Sequence, residues 1–256
     1  MTVESGDRPL LGVRGLSLRY PNGKLALDEV DLDVRAGELL IVLGGNGCGK
    51  TTLLRCVTRL LAPTAGEVWL NGADISRFAG EKLRRARLDL AMIWQHASLV
   101  RRRSVLANVA AGALGRHQSL WTSLGGLPTT ELRAAYAYLH QVGLAHLATQ
   151  RAGTLSGGQA QRVAIARALA QQPLVVLADE PVASLDPEAA RDIMQLLRRL
   201  AHQDGLAVLC VLHQVDLAFA YADRVVGMRD GRVAFDQPRE GLSHEEVHRL
   251  YLAEAA

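Results

Sequence analysis

Gly44, Gly49, Lys50 and Thr51 stand at the spacing GxxxxGK[ST] within GGNGCGKTT, residues 44 to 52. Glycines at these intervals let the backbone curl until several N–H groups point inward at an oxyanion. A lysine then reaches the outer phosphates, and a threonine hydroxyl is available to Mg²⁺. The loop therefore suits the phosphate chain of a nucleotide, with Gly45, Asn46, Gly47, Cys48 and Thr52 supplying its remaining backbone and rim. Two acids, Asp179 and Glu180, close the apolar run VVLADE. Acids in that position are costly unless a cation or ligand compensates them. Asp179 is expected to support a Mg²⁺ shell, and Glu180 to polarise a water for attack on the γ-phosphate. A second anion site is expected at Ser156, Gly157 and Gly158, followed by Gln159, where LSGGQ precedes a helical pattern.

These residues need particular elements behind them. ELLIVL, 38 to 43, is a short continuous apolar run of the kind a strand buried on both faces requires, and a helix is expected from about 49 to 61. PLVVLADEP and LAVLCVL repeat the buried-strand pattern, and GEVWLNG and LDLAMIW read as further strands. LLGVRGLSLRY and LALDEVDLDV alternate around the turn PNG, which predicts an antiparallel pair at the N-terminus. Residues from about 96 to 160 are mostly helical in pattern, with Ser104 a candidate N-cap. Asp186, Pro187 and Glu188 make a helix start, Asp230-Gly231 a hairpin turn, and SHEE, 243 to 246, a capping box before a C-terminal helix over 241–256. The sum is an α/β chain with a mainly parallel core, an antiparallel N-terminal portion and a helical insertion.

Composition bounds the rest. The chain has 256 residues, 49% hydrophobic and 21% charged, enough for a substantial core without staples. Its 29 basic against 26 acidic residues give no charge argument for nucleic acid. Cys48, Cys56 and Cys210 cannot all pair, and 48 and 56 would lie about 12 Å apart on one helix, so reduced thiols are expected. The N-terminus lacks a signal-peptide pattern, and no apolar run approaches the roughly 20 residues of a membrane span.

With LSGGQ a short interval before VVLADEP, the chain resembles the ATP-binding subunits of ABC transporters over roughly residues 10 to 240. That resemblance implies a P-loop NTPase fold with a RecA-like core, an N-terminal antiparallel β subdomain and a helical signature subdomain at about 96–160. It also implies ATP and Mg²⁺ as cofactors. Tyr20 matches the aromatic that stacks on adenine, Gln95 the glutamine that touches Mg²⁺ and water, and Ser184, Leu185 and Asp186 the loop that crosses to a partner subunit. His213 matches the histidine that contacts the γ-phosphate, so Glu180, His213 and Lys50 are the implied catalytic set, with Thr51, Gln95 and Asp179 around the metal. In the family two subunits sandwich two ATP molecules head to tail, each phosphate loop facing the other's signature. A homodimer is therefore expected, working with a transmembrane permease and, through it, a substrate-binding protein, at the cytoplasmic face of the inner membrane.

HASLVRRRSVLANVAAGALGRHQSLWTSLGGLP, PVASLDPEAA and LHQVDLAFAYADRVVGMRDGRV are similar to the phosphonate import ATP-binding proteins in particular. The first stretch, which contains Trp121, lies where that family engages its transmembrane subunit. Phosphite, another organophosphorus compound or a polar amino acid stay open as cargo. A soluble ABC ATPase acting on nucleic acid fits less well, since neither tandem cassettes nor a long coiled-coil insertion is present. Cys48 beside a helix N-terminus is expected to have a lowered thiol pKa and to block ATP binding when alkylated. Arg101 to Arg103 read as a solvated basic run.

Overall fold

The computed structural model describes residues 8–117 and 126–252, so Trp121 and the terminal residues lie outside the described residues. The chain begins with β1 (Leu11–Arg19), β2 (Leu25–Val34) and β3 (Leu39–Leu43), then α1 (Lys50–Val57), β4 (Ala65–Leu70), β5 (Ala73–Asp74), α2 (Gly80–Ala86) and β6 (Leu90–Ile93). The helical stretch holds α3 (Val105–Ala110), α4 (Thr129–Gln141) and α5 (Gly157–Leu169), joined by short 3₁₀ turns. Then follow β7 (Val175–Asp179), α6 (Pro187–His202), β8 (Ala207–Val211), α7 (Val215–Tyr221), β9 (Arg224–Arg229), β10 (Arg232–Pro238) and α8 (His244–Leu252).

Two sheets form. The first has four antiparallel strands in the order β2-β1-β4-β5, so the segment GEVWLNG joins the N-terminal pair rather than the core. The second runs β10-β9-β3-β8-β7-β6 and is parallel except for the β9–β10 hairpin. Every residue of β3, β7 and β8 is buried, as a strand covered on both faces demands. The period of two then divides their side chains: Leu39, Ile41 and Leu43 enter the core beneath α3 to α7, while Leu40 and Val42 enter the core shared with α1 and the antiparallel sheet.

The predicted caps hold. Ser104 accepts from the Ala107 amide, Asp186 from those of Glu188 and Ala189, and Ser243 exchanges hydrogen bonds with Glu246. Two boundaries differ. The first helix ends at Val57 instead of near 61, because Arg59 adopts φ 58° and its amide turns back to the Cys56 carbonyl. The last helix begins at His244, after a 3₁₀ turn over Arg239–Gly241 and its Ser243 cap. Among the described residues no helix is long and apolar enough to cross a membrane.

Candidate functional site

Strand β3 delivers its last buried residue, Leu43, directly into the loop 44–49, and α1 begins at Lys50. No acid occupies the first turn of α1, so the positive end of its dipole is left uncompensated for an anion. The loop is braced from outside. The Gly231 amide, at the β9–β10 turn, donates to the Cys48 carbonyl at 3.0 Å, and the Asp28 amide of β2 donates to the Gly231 carbonyl at 2.9 Å. Lys50, only 5% exposed, turns its ammonium back over the loop and donates to the carbonyls of Gly44 at 2.7 Å and Gly45 at 2.8 Å.

A cavity of about 360 Å³ opens in front of this loop, within the range of small-molecule sites. Asn46, Gly47, Gly49, Lys50, Thr51 and Thr52 form one wall, Tyr20, Lys24 and Ala26 of the β1–β2 hairpin another, and Glu180 and His213 a third. The Tyr20 hydroxyl lies 3.3 Å from the Thr52 hydroxyl, which ties the aromatic to the first turn of α1. Lys24 was not foreseen as part of the site. The signal was available in the PNG turn, since a tight turn returns the chain beside Tyr20, whose amide donates to the Lys24 carbonyl at 2.9 Å.

Parallel pairing of β7 with β8 sets Asp179 level with Val211, so Glu180 and His213 emerge side by side at the strand ends. The Nε2 of His213 and Oε1 of Glu180 are 2.5 Å apart. Glu180 takes φ 49° with its amide bound to the Val211 carbonyl, which aims its carboxylate at the cavity instead of along the strand. A carboxylate and an imidazole held this way can take and relay a proton from water. Asp179 is 7% exposed and accepts a 3.1 Å hydrogen bond from the Thr51 hydroxyl. Burial pushes its carboxyl above the ordinary range, opposed by the Thr51 hydrogen bond and reinforced by the charge of Glu180.

The remaining sequence-predicted residues are placed elsewhere. Gln95 is exposed beyond the end of β6 and does not line the cavity. The segment around it is pinned to α5 on both sides: Gln161 donates to the Trp94 carbonyl, and Arg167 to those of Ala97 and Ser98. Sequence reasoning missed both pins, because they depend on which face of α5 meets a loop some 70 residues away. Ser156, Gly157, Gly158 and Gln159 also lie outside this cavity. Ser156 and Gln159 form a reciprocal capping box at the entrance of α5, which commits the Gln159 amide oxygen to the Ser156 amide at 3.0 Å. That entrance abuts the start of α6: a Cβ on Gly158 would come 3.1 Å from that of Ala189.

Cys48 corrects the sequence expectation. Its thiol is 8% exposed, and burial pushes its pKa above the ordinary value despite the opposing pull of Lys50. The helix N-terminus does not win, because desolvation of a thiolate outweighs a partial charge.

A sequence profile described as "ABC transporter" matches residues 27–183, a span that runs from the second strand through the phosphate loop and LSGGQ to the strand bearing Asp179. The chain belongs to the ABC transporter family. This ABC cassette is 46% identical over 247 residues to the phosphonates import ATP-binding protein PhnC of Bdellovibrio bacteriovorus, covering 96% of this chain and 94% of that one. In structure it is similar to cbiO1 from Clostridium perfringens, part of the ABC transporter complex cbiONQ, with a TM-score of 0.83, 30% identity and 97% of each chain covered. It is also similar to a dimeric ATP-binding cassette in a post-hydrolysis state bound to ADP and Pi, with a TM-score of 0.79, 30% identity, 91% of this chain and 100% of that chain covered.

Proposed function

We propose that this cassette is the ATP-hydrolysing subunit of an importer of phosphonates, working as a dimer against a transmembrane permease on the cytoplasmic face of the membrane. A substrate-binding protein delivers the cargo to that permease. The single observation that carries the ATPase reading is the meeting of three groups around one cavity: the phosphate loop with Lys50, Thr51 backed by its hydrogen bond to Asp179, and the Glu180–His213 pair. The cargo is supported by the relative of 46% identity named for phosphonate import.

In this reading Tyr20 stacks on the adenine and Lys24 closes the same wall. The amides of loop 44–49 and the α1 dipole hold the β-phosphate, while Lys50 leaves one of its two carbonyl partners to reach the γ-phosphate. Thr51 and Asp179 offer only hard oxygen donors, and Asp179 is a buried carboxylate that no cation pairs with among the described residues, which fits Mg²⁺. Bound there, Mg²⁺ supplies charge neutralisation on the phosphates. Gln95 reaches the metal's shell only by moving inward from its exposed position at the end of β6.

Glu180 accepts the proton of the attacking water, and His213 orients that carboxylate and contacts the γ-phosphate. Ser156 to Gln159 face outward from their own cavity and serve a partner's, with Ser184 to Asp186 beside them. Exchange of Glu180→Gln keeps the side chain's shape and removes the base. Steady-state turnover should fall about 10²- to 10⁴-fold while ATP binding persists and a dimer accumulates in ATP on size-exclusion chromatography. Turnover equal to the parent would remove Glu180 from the mechanism.

A further inference from the structure

A cavity of about 530 Å³ that shares no residue with the nucleotide site opens between α5 and α6. Arg162 faces it from α5, and Arg198, Arg199 and His202 face it from α6. Its floor includes Val142 and Leu196, each only 3% exposed. On α6 the residues Gln195, Arg198, Arg199 and His202 stand at i, i+3, i+4 and i+7, which places them on one stripe.

Cations near a helix C-terminus complement its dipole, and that accounts for basic residues at the end of α6. A third guanidinium, that of Arg162, reaches the same space from another helix and is engaged by Asp192. The acids nearby are already engaged. Asp192 is held by Arg162, and the Asp223 carboxylate accepts from His202 Nε2 at 2.8 and 3.0 Å. Among the described residues Arg198 and Arg199 have no ion-pair or side-chain hydrogen-bond partner, so two positive charges remain uncompensated at the rim.

A guanidinium is a rigid fork matched to paired oxygens, and two such forks above an apolar floor suit an oxyanion on a short organic stem. We propose that this cavity binds a small molecule carrying a tetrahedral phosphorus oxyanion, through Arg198 and Arg199. The volume is ample for such a ligand. The choice of phosphorus over other oxyanions rests on the importer reading above; the charge and shape of the cavity do not. A ligand here touches Arg162 on the signature helix and Arg199 on the helix after Asp186, and so joins the helical insertion to the core.

The test is isothermal titration calorimetry on the full chain, with a nonhydrolysable ATP analogue and Mg²⁺ filling the phosphate loop. Methylphosphonate, inorganic phosphate and acetate are the titrants. Both phosphorus compounds should bind and acetate should not, and the tighter of the two identifies the source, carbon-bonded or free phosphate. Arg198→Gln and Arg199→Gln, at exposed positions that leave the fold intact, should each weaken binding by about tenfold or more, the loss of one charge-assisted hydrogen bond. Absence of binding by either phosphorus compound, undiminished binding in both variants, or acetate binding as tightly as methylphosphonate would each overturn the proposal. The Glu180→Gln experiment reads another site, so failure here leaves the ATPase assignment standing.

Discussion

Gly49→Ala should damage the phosphate loop far more than Gly47→Ala, although the two glycines are two residues apart in one loop. Both have positive φ, 111° at Gly49 and 73° at Gly47, so an alanine at either site carries a left-handed strain of about 1–2 kcal/mol. Their surroundings differ. A Cβ at Gly47 meets nothing within 4 Å, whereas one at Gly49 comes 2.6 Å from the Ala26 carbonyl oxygen and 3.0 Å from a Leu27 methyl. The carbonyl cannot swing away cheaply, because it belongs to β2, which is paired along its length with β1. Overpacking of that kind adds about 1–3 kcal/mol, so Gly49→Ala should lose about 2–5 kcal/mol and Gly47→Ala about 1–2. Urea unfolding of the nucleotide-free protein measures both. If the two variants lost the same stability to within about 0.3 kcal/mol, the reasoning from close approach would be wrong, and strain alone would govern the loop.

Two further outcomes follow from ionisable groups. The depressed carboxyl pKa of Asp186 comes first from the Ala189 amide it accepts, so its contribution to stability is fully present above the ordinary aspartate pKa of about 4 and is lost as pH falls through the lower native value. Asp186→Ala should therefore flatten the acid limb of stability against pH, measured by circular dichroism at a fixed urea concentration; an unchanged limb refutes the cap's part in it. The buried Cys48 thiol should react with iodoacetamide at pH 8 at least about tenfold more slowly than glutathione, read by mass spectrometry of the intact chain. Labelling at the glutathione rate would show that the thiol is open and ionised.

Features fixed by neighbours in sequence were legible. The apolar runs of β3, β7 and β8, the Asp230-Gly231 turn and the caps at Ser104, Asp186 and Ser243 each depend on a few adjacent residues, and each appears where its pattern stands. The phosphate loop belongs with them, since its chemistry is carried by backbone and by residues within nine positions. What escaped depends on packing over long separations. Arg167 and Gln161 hold the segment around Gln95 from nearly 70 residues away, and Lys24 joins the site because one hairpin lies across α1. The Cys48 thiol was misjudged for the same reason: helix dipole is visible in sequence, whereas the depth at which the second core covers that sulfur is not.

The single amide-to-carbonyl contacts from Gly231 to Cys48 and from Asp28 to Gly231 have a mechanical meaning. They fasten the nucleotide's cradle to both sheets at once, so the hairpin bearing Tyr20 and the floor beneath the phosphates travel as one block. In the proposed binding mode ATP meets a seat whose two ends are already fastened together, which leaves it little to order there. The margins of that block are held differently: Trp94, Ala97 and Ser98 are tied to α5 through the side chains of Gln161 and Arg167.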